Sequence, residues 1–354
     1  MIFERNLQTF KELNLSVKDV LLVPDCGILK SRSEASLLPY MFSAPMDTVT
    51  GYDLAKVMIE HNQLPVLSRF LDESERIKAF FAFSNYKNNF WWAVSSDFDY
   101  EKNFLEQLRA HIDPNEKINI CIDVAHGDTD YMHEVYSKWR KLSYVKDIMS
   151  GSIATSTAAL RCIDSGCNYL RVGIGPGAAC TTRLVTGVGV PQLSAIFDIY
   201  NSVNKAGLLD EIMIIADGGI TSSGDAVKYF AAGATHIMLG KLLSYSEESA
   251  GWDMPDLITA IKLRSRNKVK KYRGQASKDF QLSQYGVAKN VEGESSQYFN
   301  PKYTYKELLE KFNDGLQSAI SYLGIQDLSD INPKNVEFRK ITMNGWQESN
   351  VNLS

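Results

Sequence analysis

Eight short apolar runs, separated by longer amphipathic stretches, restrict the fold of this chain more than any other feature. The runs are Met41–Ala44, Leu64–Leu67, Trp91–Val94, Ile118–Val124, Val145–Met149, Tyr169–Val172, Ile212–Ala216 and His236–Leu239. They are short, rich in Val and Ile and apolar on both faces, as strands of a covered parallel sheet are. Between them lie Tyr52–Glu60, Glu73–Ala82, Tyr100–Ala110, Thr129–Arg140, Ser156–Ser165, Pro191–Val203 and Ser223–Ala231, which read as helices. Thr155-Ser156 and Ser222-Ser223 supply helix starts, and Gly166 and Gly233 supply stops. Eight β/α units predict an α/β fold of the (β/α)8 TIM barrel type, with chemistry on the loops after the strand C-termini. A doubly wound open sheet is the rival architecture; eight near-regular repeats favour closure. Residues 1–354 then read as one barrel domain with no inserted regulatory domain.

The pattern breaks after the eighth run. A flap-like segment, about 241–300, precedes a last helical stretch, Thr304–Leu323. Long segments of this kind usually act as lids or added elements. Within it, Lys262–Arg273 carries seven basic residues. They read either as a solvated ribbon or as a flap edge facing phosphate.

Charge and cysteine content exclude several function classes. With 38 Lys+Arg against 42 Asp+Glu, the net charge is −4, unlike that of a general nucleic-acid binder. No stretch approaches the roughly 18–20 apolar residues of a membrane span. The first nineteen residues carry charges throughout and lack the apolar core of a secretory signal, so a cytoplasmic location is expected. Cys26, Cys121, Cys162, Cys167 and Cys180 are odd in number and lack CxxC spacing, which argues against a disulfide framework or a zinc site. Four of them read as small buried hydrophobes.

Cys180 is set apart by its context, Val172-Gly173-Ile174-Gly175-Pro176-Gly177-Ala178-Ala179-Cys180-Thr181-Thr182-Arg183. Three glycines and a proline within five residues force an irregular loop. Such a loop can aim N–H groups at an anion or carbonyls at a cation. It ends in a thiol beside two hydroxyls and a guanidinium, a setting that favours a nucleophilic thiolate. A second signal is Asp217-Gly218-Gly219-Ile220 with Met238-Leu239-Gly240, at the ends of runs seven and eight, where barrels commonly hold phosphate. An ionised Asp217 only accepts hydrogen bonds, which suits ribose hydroxyls rather than phosphate.

These residues resemble the family of IMP dehydrogenases and GMP reductases. The resemblance covers nearly the whole chain. It includes Lys18–Leu22, Ala44-Pro45-Met46-Asp47-Thr48-Val49, Asp123-Val124-Ala125, the Gly175–Arg183 loop, Thr186–Gln192, Asp217-Gly218-Gly219 and Tyr272-Arg273-Gly274. It implies a (β/α)8 homotetramer, with GMP or IMP as small-molecule substrate and neither nucleic acid nor membrane as partner. Cys180 would attack C2 of the purine while a nicotinamide cofactor carries hydride. Asp217 would hold the ribose, and Gly218, Gly219, Gly240 and Lys241 the phosphate. Ser43, Met46, Tyr272, Gly274, Gln275, Ala276 and Gly293 would line the rest of the nucleotide site. Ser31, Arg32, Asp123, Val124, Ala125, Ile174 and Lys289 would meet the cofactor. Gly175, Gly177, Cys180 and Arg183 would surround a monovalent cation, potassium.

The two branches of the family differ in what meets the covalent purine intermediate. The dehydrogenase hydrolyses it with an Arg-Tyr pair on a flap, yet no arginine occurs between Arg273 and Arg339. The reductase must protonate leaving ammonia with a threonine and a glutamate, and Thr182 and Glu292 stand at the matching positions. The resemblance therefore implies NADPH-dependent reductive deamination of GMP to IMP. IMP oxidation to XMP with NAD, a modified or deoxy purine substrate, and a non-catalytic nucleotide-binding barrel are the alternatives. Several positions depart from the family pattern. Ala178 replaces a phosphate-binding serine, Gln275-Ala276 replace the usual base contacts, and Lys241 replaces a small residue. Ser68, with Arg69 beside it, stands at a cofactor-binding lysine. Asp217–Ile220 and Ala44-Pro45-Met46 look more like the dehydrogenase branch. His126 reads as a plain loop histidine or as a cofactor contact.

Overall fold

The computed structural model describes residues 2–349 apart from 12, 13, 84, 85, 87, 88 and 266. Arg266 of the basic run therefore lies outside the described residues. Eight parallel strands form one sheet: β1 (Met41–Ser43), β2 (Val66–Leu67), β3 (Trp91–Val94), β4 (Ile118–Ile122), β5 (Val145–Ile153), β6 (Tyr169–Val172), β7 (Met213–Asp217) and β8 (His236–Leu239). Neighbours run β1-β8-β7-β6-β5-β4-β3-β2. The ring closes through a parallel bridge between Phe42 and Leu64, where Leu64 N–H donates to the Met41 carbonyl at 3.0 Å. This is the α/β (β/α)8 barrel that the periodicity predicts.

The boundaries that moved have local causes. The second run loses its first half because Pro65 has no N–H for a ladder. The fifth runs on past Met149 to Ile153, with a shifted register between Ser150 and Ile153; the small polar residues there look like a turn in sequence. Thr129, Thr155 and Ser222 cap their helices, each side chain accepting an N–H three residues on.

Alternation along each strand separates two cores. Outward residues such as Ile120, Leu170, Ile214 and Ile237 pack under the helices. Inward residues Phe42, Val66, Trp91, Cys121, Met149, Ile215 and Met238 fill the barrel. Trp91 meets Tyr169 at 4.6 Å and Phe42 meets His236 at 5.2 Å between ring centroids. Two residues further along their strands, toward the C-terminal mouth, the same inward faces carry Arg171 and Asp217.

The flap-like segment has its own structure. Trp252–Asp253, Val269–Tyr272 and Gln297–Phe299 form a three-stranded antiparallel sheet. Strands of two to four residues are too short to display a period in sequence, so the stretch reads as loop. The basic run is not one ribbon. Lys262, Arg264 and Lys268 are exposed, whereas Lys270 and Arg273 are buried. Lys270 Nζ donates to the carbonyls of Glu247 at 2.8 Å and Ser249 at 2.5 Å, and burial pushes it down to about 7. Beyond the segment, Thr304 and Glu307 form a capping box at the start of the helix Tyr305–Tyr322. Among the described residues no helix is long and apolar enough to cross a membrane.

Candidate active site

The site is built where β6 meets its loop. The backbone turns out of the strand at Gly173 with φ of +154°, and a Cβ there would run into the Asp217 carbonyl oxygen. The loop passes Pro176-Gly177, packs against Gly218 and Gly219 at the end of β7, and returns to Cys180. Gly173→Ala should therefore cost about 1–3 kcal/mol of backbone strain and displace Asp217. A lower melting temperature with weaker nucleotide affinity is expected; unchanged values would contradict this placement.

The flap closes over the loop. Cys180 pairs with Gly293 in an antiparallel bridge. Thr181 N–H donates to the Glu292 carbonyl at 2.8 Å, and Glu294 N–H to the Ala179 carbonyl at 2.9 Å. Gly274 sits so close that a Cβ there would lie 2.8 Å from the Ala179 oxygen. Arg273 anchors the flap base by donating twice to Asp47, at 2.7 and 3.2 Å. Phe280, on the flap helix Lys278–Tyr285, packs on Phe70 at 4.7 Å.

This closure assembles three side chains from distant parts of the sequence. The half-buried Cys180 Sγ lies 3.2 Å from Thr182 Oγ1, and Thr182 Oγ1–H donates to Glu292 Oε2 at 2.8 Å. Thiol, hydroxyl and carboxylate form one continuous hydrogen-bonded path. The other cysteines are free; Cys121, Cys162 and Cys167 are buried, whereas Cys26 is exposed.

A second cluster lies deeper in the barrel mouth. Arg171 Nη1 donates to Asp123 Oδ1 at 3.1 Å, and its Nε lies 3.6 Å from Asp217 Oδ2. Arg69 Nε lies 3.5 Å from Asp123 Oδ2. Burial pushes the Asp217 carboxyl up to about 6, against the pull of Arg171 and with repulsion from Asp123. The 24% of its side chain left open to solvent tempers that rise.

The remaining candidates divide by location. Gly240 is ringed by Met46, Ala44 and Tyr272. Gln275 Nε2 donates to the Pro45 carbonyl at 2.8 Å, and the Ala276 carbonyl accepts from Glu292 N–H at 3.1 Å. Lys241 Nζ donates to Gln297 at 3.2 Å. Ser43 is fully buried and its hydroxyl accepts from Val66 N–H at 3.1 Å, so it stitches β1 to β2. The Val124 carbonyl accepts from Arg171, whereas Ala125 and His126 face solvent. Lys289 is exposed on the flap. Ser31 and Arg32 lie elsewhere: Arg32 donates to Ser318 and Tyr322 of the helix Tyr305–Tyr322. The Arg183 guanidinium donates to the carbonyls of Ile174 at 3.1 Å and Val190 at 2.5 Å. With no lone pair to offer, its side chain braces the loop rather than ligating a cation.

The domain family described as IMP dehydrogenase / GMP reductase matches residues 8–352. The chain belongs to that family. An inosine-5'-monophosphate dehydrogenase of Borreliella burgdorferi is 38% identical over 263 residues, 73% of this chain and 62% of that protein. One from Thermoplasma acidophilum is 39% identical over 240 residues, 65% of this chain and 46% of that protein. The chain thus spans about half to three-fifths of these dehydrogenases. A GMP reductase of Escherichia coli is 31% identical over 359 residues, 93% of this chain and 95% of that protein. Family members are oxidoreductases, and both branches are represented at similar identity.

Two features of this family member escape the sequence reading. Arg171 is one; its only signal is a lone charge inside an apolar strand, Tyr169-Leu170-Arg171-Val172. The other is the partner of Asp123 after β2, which is Arg69; Ser68 is fully buried.

Proposed function

We propose that the protein is a GMP reductase-like enzyme that uses NADPH to convert GMP to IMP and ammonia. The observation that carries this reading is the path Cys180–Thr182–Glu292. It leads a proton from the thiol to a carboxylate, which a leaving amine needs. No arginine lies between Arg273 and Arg339 to activate water on the flap. The reductase relative also aligns over nearly its whole length.

In this mechanism Cys180 Sγ–H passes its proton through Thr182 to Glu292, and the sulfur adds to purine C2. Glu292 returns the proton to the 2-amino group, which leaves as ammonia with the electron pair of its bond to C2. The hydride for C2 would come from a nicotinamide cofactor held by Asp123, Val124, Ala125 and Ile174; as C2 gains it, the C2–S bond breaks and its electron pair returns to the Cys180 sulfur. The net change is GMP, NADPH and two protons to IMP, NADP+ and ammonium. Asp217 orients the ribose through its hydroxyls, with Gly218, Gly219, Gly240 and Lys241 at the phosphate.

The cofactor's nicotinamide end would be held by Asp123, Val124, Ala125 and Ile174. Among the described residues, Asp123 Oδ2 and the Nε atoms of Arg69 and Arg171 are buried without a hydrogen-bond partner, which fits a polar carboxamide. Lys289, exposed on the flap, suits the extra phosphate of NADPH. Ser31 and the adjacent Arg32, whose guanidinium rests on the helix Tyr305–Tyr322, suit a cofactor end shared with a second subunit of a homotetramer. The backbone oxygens of Gly175, Gly177 and Cys180 are neutral donors of the kind potassium takes. The Gly177 carbonyl also accepts from Cys180 N–H at 3.0 Å.

The dehydrogenase reading is the second one, favoured by the 38% identity to a dehydrogenase. Absorbance near 340 nm separates the two. GMP with NADPH should lose absorbance, while IMP with NAD should show no sustained gain. A sustained gain from IMP and NAD, with GMP inert, would reverse the assignment.

A further inference from the structure

A fully buried guanidinium inside a barrel is costly, so its neighbours must account for it. Arg171 is 4% exposed, on the inward face of β6. Burial alone would push it down, but the carboxylates of Asp123 and Asp217 hold it charged, with a net rise. Its contacts fall on two sides. Toward β4 it donates to Asp123 Oδ1 at 3.1 Å and to the Val124 carbonyl at 3.3 Å. Toward β7 its Nε approaches Asp217 Oδ2 at 3.6 Å and has no hydrogen-bond partner among the described residues. Ser152 Oγ, at 3.3 Å, fixes the fork from β5.

We infer that Arg171 is a positioning residue that links the two halves of the site, so that nucleotide held at Asp217 and cofactor held at Asp123 bind cooperatively through one guanidinium. This rests on the proposed reading of Asp217 as the ribose partner and Asp123 as a cofactor contact. The physical basis is sharing. Each carboxylate competes for the same rigid fork, so satisfying Asp123 with a cofactor group changes what Arg171 offers Asp217. By linkage the effect is reciprocal. The charged and titratable groups facing Asp217 are Arg171 from β6, Asp123 and Cys121 from the β4 side, and Tyr272 from the flap sheet. Arg171 is the cation among them, so it keeps Asp217 ionised for the ribose hydroxyls.

GMP with NADP+ is a pair that cannot turn over, so binding can be measured by calorimetry on the intact protein. Wild type should bind GMP at least about fivefold more tightly with NADP+ present, and the reverse. GMP affinity should fall as pH drops through about 6, where Asp217 protonates. Arg171→Met should raise that midpoint by about two pH units, weakening GMP binding roughly tenfold at pH 7 with recovery in base. Arg171→Lys keeps the charge but not the fork. It should retain the midpoint and GMP affinity within about threefold, while the cooperativity with NADP+ falls toward one. Should the Met variant fail to fold, the Lys variant decides by that cooperativity. GMP binding without cooperativity in wild type, or unchanged cooperativity in Arg171→Lys, overturns the inference alone. No GMP binding to wild type would overturn the functional reading and this inference with it.

Discussion

Cys180→Ala is expected to lower turnover at least about 10³-fold while GMP affinity stays within about tenfold. The split follows from the architecture. The thiol stands at the end of the β6 loop, 3.2 Å from Thr182 Oγ1, whereas the proposed ribose and phosphate contacts lie on β7 and after β8. Removing the sulfur removes the bond to C2 and leaves the nucleotide cradle standing. Turnover and affinity measured on one preparation check this. Near-normal turnover would eliminate covalent catalysis at Cys180. A parallel collapse of affinity would make Cys180 a structural residue of the loop.

Glu292→Gln should slow deamination by about 10²-fold or more, the usual worth of a general acid, with little change in GMP affinity. Gln has nearly the same shape and can still bond to Thr182, but it cannot carry a proton. The reverse half-reaction offers a control. With IMP and NADP+ the burst of reduced cofactor should suffer less than deamination: the variant loses the acceptor of the thiol proton in both directions, but only deamination also needs an acid for ammonia. The burst amplitude is read near 340 nm. Equal loss in both directions would mean that Glu292 serves only Cys180, through its thiol proton or the flap, and does not protonate the leaving ammonia.

Much of the barrel is legible in sequence because its signals are local. Trp91–Val94, Tyr169–Val172 and His236–Leu239 begin and end where the apolar runs do. The Thr155 and Ser222 caps are equally local. What sequence spacing cannot supply is pairing across the chain. Thr182 and Glu292 are 110 residues apart, and only resemblance to the family brings them together before the fold does. The antiparallel sheet of the flap is hidden for another reason: its strands are too short and mixed in polarity to show a period. Arg171 is hidden because a single charge in a buried strand reads as an exception to the pattern, until Asp123 and Asp217 are seen on either side of it.

The central claim is that the Cys180–Thr182–Glu292 path carries GMP to IMP. Product analysis tests it most directly. Purified protein incubated with GMP and NADPH should yield IMP, ammonia and NADP+ in a ratio of about one to one to one, by chromatography and an ammonia assay, with all three lost in Cys180→Ala. NADPH oxidation without IMP, or XMP formed from IMP and NAD while GMP stays unconsumed, would contradict it.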